Sequence, residues 1–399
     1  MKNLKKDFPI FKNNPGLIFF DSGASSQKPK YVIDAISEYL SNSYSNIHRG
    51  LYDISINSEK LYFDSKKKVA QFLGVSDFKE IIYTYNANYA LNIITQTLRL
   101  NKVLKSGDKV LLSIVEHHAN IVPWLILKEE IGIEIEFVKI DENYDLDLED
   151  FKRKYDEKVK VIAITQVSNV TGEIFNLEEI GKLKRLDTIF IIDASQSFPH
   201  IKVDVKKLNC DFLFFTAHKV MADSGLGVIW GKSELLNKYN PIFSGGGAIN
   251  EVKETCFKSG ALPFKFEPGT PNISGAISLL KALEYIENIG GYKKIEEIEK
   301  ELIKYSLEKF NSRNYIKLIG NRTIENRVGV FSFYIDGIHA LDIADKMAEN
   351  NVCIRAGQHC TEPFMDYLKI KGLARMSLYI YNTFEDIDKF FEVLDDNFK

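Results

Sequence analysis

Two short segments, Asp193-Ala-Ser-Gln196 and Thr216-Ala-His-Lys219, place a carboxylate, an amide, a hydroxyl, an imidazole and an amine just beyond apolar runs. A pyridinium cofactor needs a carboxylate against its ring nitrogen, because the protonated ring is an electron sink. It also needs an amine to bond its aldehyde carbon and a donor near its phenolic oxygen. Asp193, Lys219 and Gln196 fill those roles in order. Taken singly, Asp193 reads as a helix cap and Lys219 as a solvated side chain. The joint pattern points to the cofactor.

A second set handles a thiol. Of four cysteines, Cys210, Cys256 and Cys353 read as inert core thiols, Cys353 within the apolar Val352-Cys-Ile354. Cys360 differs, lying between Gly357-Gln-His359 and Thr361-Glu-Pro363, a polar, turn-rich context. A nucleophilic thiol needs exposure and a nearby His or Arg to stabilise its thiolate. Arg355 and Arg375 carry the guanidinium geometry that binds a carboxylate through two parallel bonds, although a surface ion pair is the commoner use. The neighbours His117 and His118 point in different directions on any regular element, which argues against a two-histidine metal chelate.

These residues need a scaffold. Lys109–Ile114, Glu134–Ile140, Val161–Gln166, Thr188–Asp193, Phe212–Thr216 and Leu226–Trp230 read as strands, several apolar on both faces. Such runs suit a parallel sheet covered by helices on each side. Ala119–Ile131 and Leu177–Arg185 supply intervening helices, giving an α/β layer. Ser58–Leu73 reads as a helix stopped by Gly74, and Gly275–Ile289 as one running into a hinge at Gly290-Gly291. Beyond it, helices Lys293–Phe310, His339–Glu349 and Glu385–Phe398 mix with strands Val328–Tyr334 and Val352–Arg355, a small α+β region. Ligands collect outside the carboxyl ends of parallel strands, where Asn169, Asp193, Gln196, Thr216, His218 and Lys219 fall.

The 399 residues carry a net charge of −3, with 52 Lys and Arg against 55 Asp and Glu, which gives no general reason to expect nucleic acid or an anionic membrane as partner. The first residues lack a secretory pattern, no apolar run approaches the ~20 residues of a bilayer span, and the sparse cysteines read as reduced thiols. A cytoplasmic protein is expected.

Asp-x-x-Gln followed by Thr-x-His-Lys resembles the signature of the class V aminotransferases, fold-type I pyridoxal-phosphate enzymes. The chain is most similar to group II cysteine desulfurases of the sulfur-mobilisation (Suf) type, which overlap selenocysteine lyases. The likeness includes Phe20-Asp-Ser-Gly-Ala-Ser25, Ile47-His-Arg-Gly50, Glu116-His-His-Ala-Asn-Ile-Val-Pro-Trp124, Val167-Ser-Asn-Val-Thr-Gly172, Ser244-Gly-Gly-Gly247, Phe266-Glu-Pro-Gly-Thr-Pro-Asn272 and Arg355-Ala-Gly-Gln-His-Cys360.

The resemblance implies a large domain over residues 21–289, built on a mostly parallel sheet that binds pyridoxal 5′-phosphate. It implies a small α+β domain over 290–399 carrying the cysteine, with residues 1–20 packing on it. His117 would stack on the cofactor ring, and Asn169 would lie near the phenolic oxygen or the substrate carboxylate. Thr216, His218 and the Asn86-Ala87-Asn88 turn would hold the phosphate. Thr270 would reach the phosphate of a neighbouring subunit, which implies a homodimer with shared active sites. Arg375 would bind the substrate carboxylate, Arg355 would sit by the cysteine loop, and His48 would lie on the substrate side. The implied reaction turns L-cysteine into L-alanine with a persulfide on Cys360, bound for an acceptor protein, possibly in iron–sulfur cluster assembly. Selenocysteine lyase, another class V transamination or β-elimination, and a non-catalytic partner-binding relative are the competing expectations.

Three positions depart from the family pattern. Asn86-Ala-Asn-Tyr89 stands for Gly-(Thr/Ala)-Thr-Glu, Ala222-Asp223 for Gly-Pro, and Lys265 for an arginine.

Overall fold

Strands that are apolar on both faces need cover on both sides, and the structure provides it. In the computed structural model, which describes residues 4–399, Ile162 and Ile164 of strand Val159–Thr165 join one core and Val161 and Ala163 the other. Ile189–Asp193 and Phe212–Thr216 alternate in the same way. Residues 1–3 of the expected N-terminal segment lie outside the described residues.

The central sheet has seven strands, in the order Ile81–Thr84, Gly227–Gly231, Phe212–Thr216, Ile189–Asp193, Val159–Thr165, Lys109–Ser113 and Glu134–Val138. Gly227–Gly231 runs antiparallel to both its neighbours, and the other pairs are parallel. Six of these strands match the sequence expectation to within a few residues. Ile81–Thr84 was not anticipated, because four residues of apolar sequence are too short to separate strand from helix by period.

Helix Asp53–Phe72 begins five residues earlier than expected and stops at Gly74, whose φ of +77° a side chain would strain. Gly290 (φ +117°) and Gly291 (φ +71°) break the chain between helix Ile273–Ile289 and helix Gly291–Asn311.

The C-terminal region builds a four-stranded antiparallel sheet ordered Ile316–Ile319, Val330–Ile335, Leu373–Ser377, Arg355–Gly357. The single strand expected over Val352–Arg355 is two. Val352–Cys353 pairs in parallel with Ile18–Phe19, and Arg355–Gly357 then turns to pair with Leu373–Ser377. The N-terminal segment continues onto this region through Phe8, edge-on to Tyr381 at 4.8 Å, and Phe20, edge-on to Phe390 at 5.8 Å. Among the described residues no helix is long and apolar enough to cross a membrane.

Candidate active site

A cavity of about 660 Å³ opens where the parallel strands end. Asp193 closes Ile189–Asp193, and Thr216 closes Phe212–Thr216 ahead of a single turn that presents His218 and Lys219. Thr165 ends the neighbouring strand, with Asn169 just beyond it, and Ser113 ends the next, with His117 beyond it. Helix Ala87–Leu100 starts at the same rim. Asn86 caps it by accepting the Tyr89 N–H at 3.1 Å, and the positions of Ala87 and Asn88 face the cavity. A Cβ on Gly227 would lie 2.5 Å from the Asn86 backbone, so only glycine lets this turn settle against the strand.

The electrostatics are those of a shielded pocket. Burial raises the Asp193 carboxyl above its ordinary range, against the opposing Ser195 bond (N–H to Oδ1, 2.8 Å) and the charge of Lys219. Burial lowers the Lys219 amine to about 8; Asp193 opposes this shift and Arg375 adds to it. Burial likewise holds His117 at about 3 and His218 at about 4, with Lys219 contributing to both. His117 is therefore neutral, and its Nδ1 accepts the Ala119 N–H at 3.0 Å, which puts its proton on Nε2.

The small sheet supplies the rest. Arg375 is 3% exposed in the middle of Leu373–Ser377, donates through Nη1 to the Asn169 carbonyl at 2.9 Å, and lies 3.6 Å from Asp21. Burial lowers even this guanidinium to about 10. Arg355 grips the same Asp21 through Nε at 3.0 Å and Nη2 at 2.8 Å, so for Arg355 the ion-pair reading holds although it also lines the cavity. Cys360 is exposed at the cavity rim. His359 and Cys360 have φ of +53° and +57°, two successive non-glycine residues in the left-handed region. That conformation costs roughly 1–2 kcal/mol per residue and persists only where surrounding contacts over-determine it.

The expectation of three core thiols needs correction. Cys210 is buried, Cys353 is half-buried, and Cys256 is exposed between the hairpin strands Ile249–Val252 and Phe257–Ser259, where no core reaches. His48 does not line this cavity; its ring lies edge-on to Phe264 at 4.7 Å and its Nδ1 is 3.7 Å from Glu59. Thr270 is exposed on its turn, away from the cavity of its own chain. Gln196 spends an Nε2 hydrogen on the Gly23 carbonyl at 2.8 Å, which leaves its Oε1 without a partner. Lys265 is buried and caps the helix Ser233–Lys238, donating to the Leu236 and Asn237 carbonyls at 3.0 Å.

Glu116 opens one of the motifs that carry the likeness, but the sequence assigns it no role. It is fully buried and bonded to Ser113. It also accepts from Asn120 Nδ2 at 2.7 Å and from the Thr165 N–H at 2.9 Å, tying two strand ends together beneath His117. Burial outweighs these donors and raises it to about 7. Asp21, the shared partner of both arginines, likewise sits in a quoted motif without an assigned role.

Among the described residues, four buried polar atoms of the residues that line the cavity have no partner: Gln196 Oε1, Thr216 Oγ1, His359 Nδ1 and Arg375 Nε. Buried polar groups are rarely left so, and a cluster of them fits a polar ligand. A carboxylate, a shielded amine and a neutral imidazole suit a pyridine aldehyde, while a free hydroxyl and a helix N-terminus suit its phosphate.

Comparison with known proteins agrees. The family described as Aminotransferase class-V matches residues 18–390. A probable cysteine desulfurase of Pyrococcus abyssi is 38% identical, with 99% of this chain and 97% of the relative aligned. The apo structure of a cysteine desulfurase from Thermococcus onnurineus NA1 superposes with a TM-score of 0.94 at 36% identity, covering 99% of this chain and 97% of that one. An Escherichia coli cysteine desulfurase follows with 0.91 at 29%, covering 98% and 97%. With the donor set and the likeness extending over nearly the whole length, the chain belongs to the class-V aminotransferase family and is a pyridoxal-phosphate enzyme.

Proposed function

We propose that the chain is a cysteine desulfurase, which converts L-cysteine to L-alanine and keeps the sulfur as a persulfide on Cys360. The observation that carries this reading is the convergence of Lys219, the buried Arg375 and the exposed Cys360 on one cavity. Transamination needs no thiol.

Pyridoxal phosphate, bonded through Lys219, supplies the electron sink for charge developing at the substrate α-carbon. Asp193 would hold the ring nitrogen protonated, a cation that also relieves the cost of burying this carboxylate. His117 would cover the ring face as a neutral imidazole. Thr216, His218, Ala87 and Asn88 would hold the phosphate, and Gln196 and Asn169 would border the ring. Arg375 would bind the substrate carboxylate, using the Nε that has no partner among the described residues. The Lys219 amine, displaced by the substrate amine, would take the α-proton. The Cys360 thiolate then attacks the substrate sulfur. A sulfur–sulfur bond forms, the carbon–sulfur bond breaks, and its electron pair stays with the β-carbon, which takes a proton, while Lys219 would return the α-proton so that alanine is released. Arg355 beside this loop would steady the thiolate, and the persulfide would pass to an acceptor protein or a reductant.

The same reading divides the chain into a cofactor domain, 21–289, and a thiol domain, 290–399, with residues 1–20 on the latter; the strand pairing of Ile18–Phe19 with Val352–Cys353 supports it. It places the enzyme in the cytoplasm, where thiols stay reduced. It also makes the enzyme a homodimer in which Thr270, and with it His48, serves the partner's site. Thr270 is exposed, and so are Tyr44, Leu51, Tyr52 and Phe243, large apolar side chains that a monomer would leave in water. Light scattering should give twice the 45.7 kDa chain mass, and a single-chain mass would remove this part of the reading.

Holoenzyme given L-cysteine and a thiol reductant should release sulfide and alanine in equal amounts. Selenide from L-selenocysteine without sulfide from cysteine would make it a selenocysteine lyase. Amino-group exchange between alanine and a keto acid with no sulfide would make it a transaminase. Cofactor absorbance unmoved by any amino acid would leave a binding relative.

A further inference from the structure

Helix Glu362–Leu368 starts two residues after Cys360 with no cap of its own. Its N-cap residue, Thr361, turns its hydroxyl back to the Gln358 carbonyl at 2.8 Å instead of reaching forward. The orphan N–H of Glu362 goes to another part of the chain, the Nε2 of His118, at 3.0 Å. Nε2 is the acceptor in this bond, and the Glu362 carboxylate lies 3.7 Å from the same nitrogen. The His118 backbone N–H donates to the Cys360 carbonyl at 2.7 Å. His118 therefore holds the thiol loop at two points, one on Cys360 and one two residues beyond it. A third tether, Asn169 Nδ2 to the His359 carbonyl at 2.9 Å, holds the residue before. Between these tethers lie the two left-handed residues His359 and Cys360, a conformation that relaxes unless it is held.

We propose that His118 is a positioning residue for Cys360: its imidazole caps the helix after the thiol and so fixes where the sulfur stands relative to the cavity. The proposal rests on the desulfurase reading above and deepens it. His117 and His118 are consecutive, so the group placed to cover the cofactor and the group that latches the thiol loop meet at one turn, His118–Asn120, which His117 caps and which the buried Glu116 holds through Asn120. The spacing between ring and thiol is then set by a single peptide unit rather than by the relative placement of two regions more than 200 residues apart in sequence, as the separation of 244 between His118 and Glu362 makes plain. Nucleophilic attack on sulfur depends steeply on such alignment.

The test uses holoenzyme with His118→Phe, which keeps a ring but no acceptor, and His118→Gln, whose amide oxygen can still accept. Both retain the backbone bond to Cys360. In His118→Phe, kcat for sulfide release should fall about tenfold, the kinetic equivalent of one lost hydrogen bond, with KM for L-cysteine unchanged. Hydrogen exchange of the peptide spanning 358–366 should rise, and His118→Gln should restore both. Unchanged kcat and exchange in His118→Phe would overturn the proposal. So would a parallel loss of cofactor absorbance, which would assign the residue to the cofactor pocket. If the wild-type enzyme releases no sulfide at all, the desulfurase reading fails, while the exchange comparison still decides whether His118 holds the loop.

Discussion

Replacing Cys360 by serine is expected to lower sulfide release from L-cysteine by about 10³-fold or more while the cofactor absorbance stays as it was. An oxygen nucleophile cannot hold the departing sulfur as a persulfide, and a hydroxyl is scarcely ionised where a thiol is partly so. The fold should not notice the change. Cys360 is exposed, its φ of +57° makes the same demand of serine, and its carbonyl bond to His118 is a backbone bond. The cofactor residues should not notice it either, because Asp193 and Lys219 stand at the ends of other strands. Sulfide release within tenfold of wild type would show that the acceptor of the sulfur is another group.

Lys219→Ala should cost more, about 10⁴-fold in turnover, since it removes both the covalent anchor and the base placed to move the α-proton. It should also abolish the visible absorbance of the bonded cofactor. The pH behaviour of the wild type sharpens the test. Burial lowers the folded-state amine to about 8, so its reactive neutral fraction rises about tenfold between pH 7 and pH 9. Covalent uptake of pyridoxal phosphate by the apoprotein should quicken by that factor, and a rise of about a hundredfold, as for an amine at the ordinary value near ~10.4, would contradict a shielded amine. Linkage gives a second sign. Between about 8 and the ordinary lysine value near ~10.4, the unfolded chain binds a proton that the folded chain has released. Apoprotein stability should therefore rise with pH through that window, and Lys219→Ala should remove that part of the slope.

The strand-end residues were legible because their signals are local. Thr188–Asp193 and Phe212–Thr216 announce themselves by apolar runs, and the polar residue that stops each run marks the end where ligands gather. Gly74 and Gly290-Gly291 were read from the same kind of short-range signal. Leu373–Ser377 was not, since an arginine in mid-strand breaks the apolar pattern; its burial comes from the strands Val330–Ile335 and Arg355–Gly357 on either side. Nor did composition foretell that Cys256 sits outside any core on a hairpin.

By itself the sequence determined the α/β layer and singled out the amine, the carboxylate and the thiol proposed for the chemistry, because each stands out by residue type and a spacing of a few residues. The tertiary structure decided what those groups are held by. Asp21 joins Arg355 across 334 residues, His118 joins Glu362 across 244, and Glu116 joins Thr165 across 49. Such partners are chosen by how the two sheets meet, and no local period in the chain records that meeting. Lys219 shows the division within one side chain. Its place after a buried strand is written in sequence, while its lowered proton affinity comes from the walls that folding builds around it.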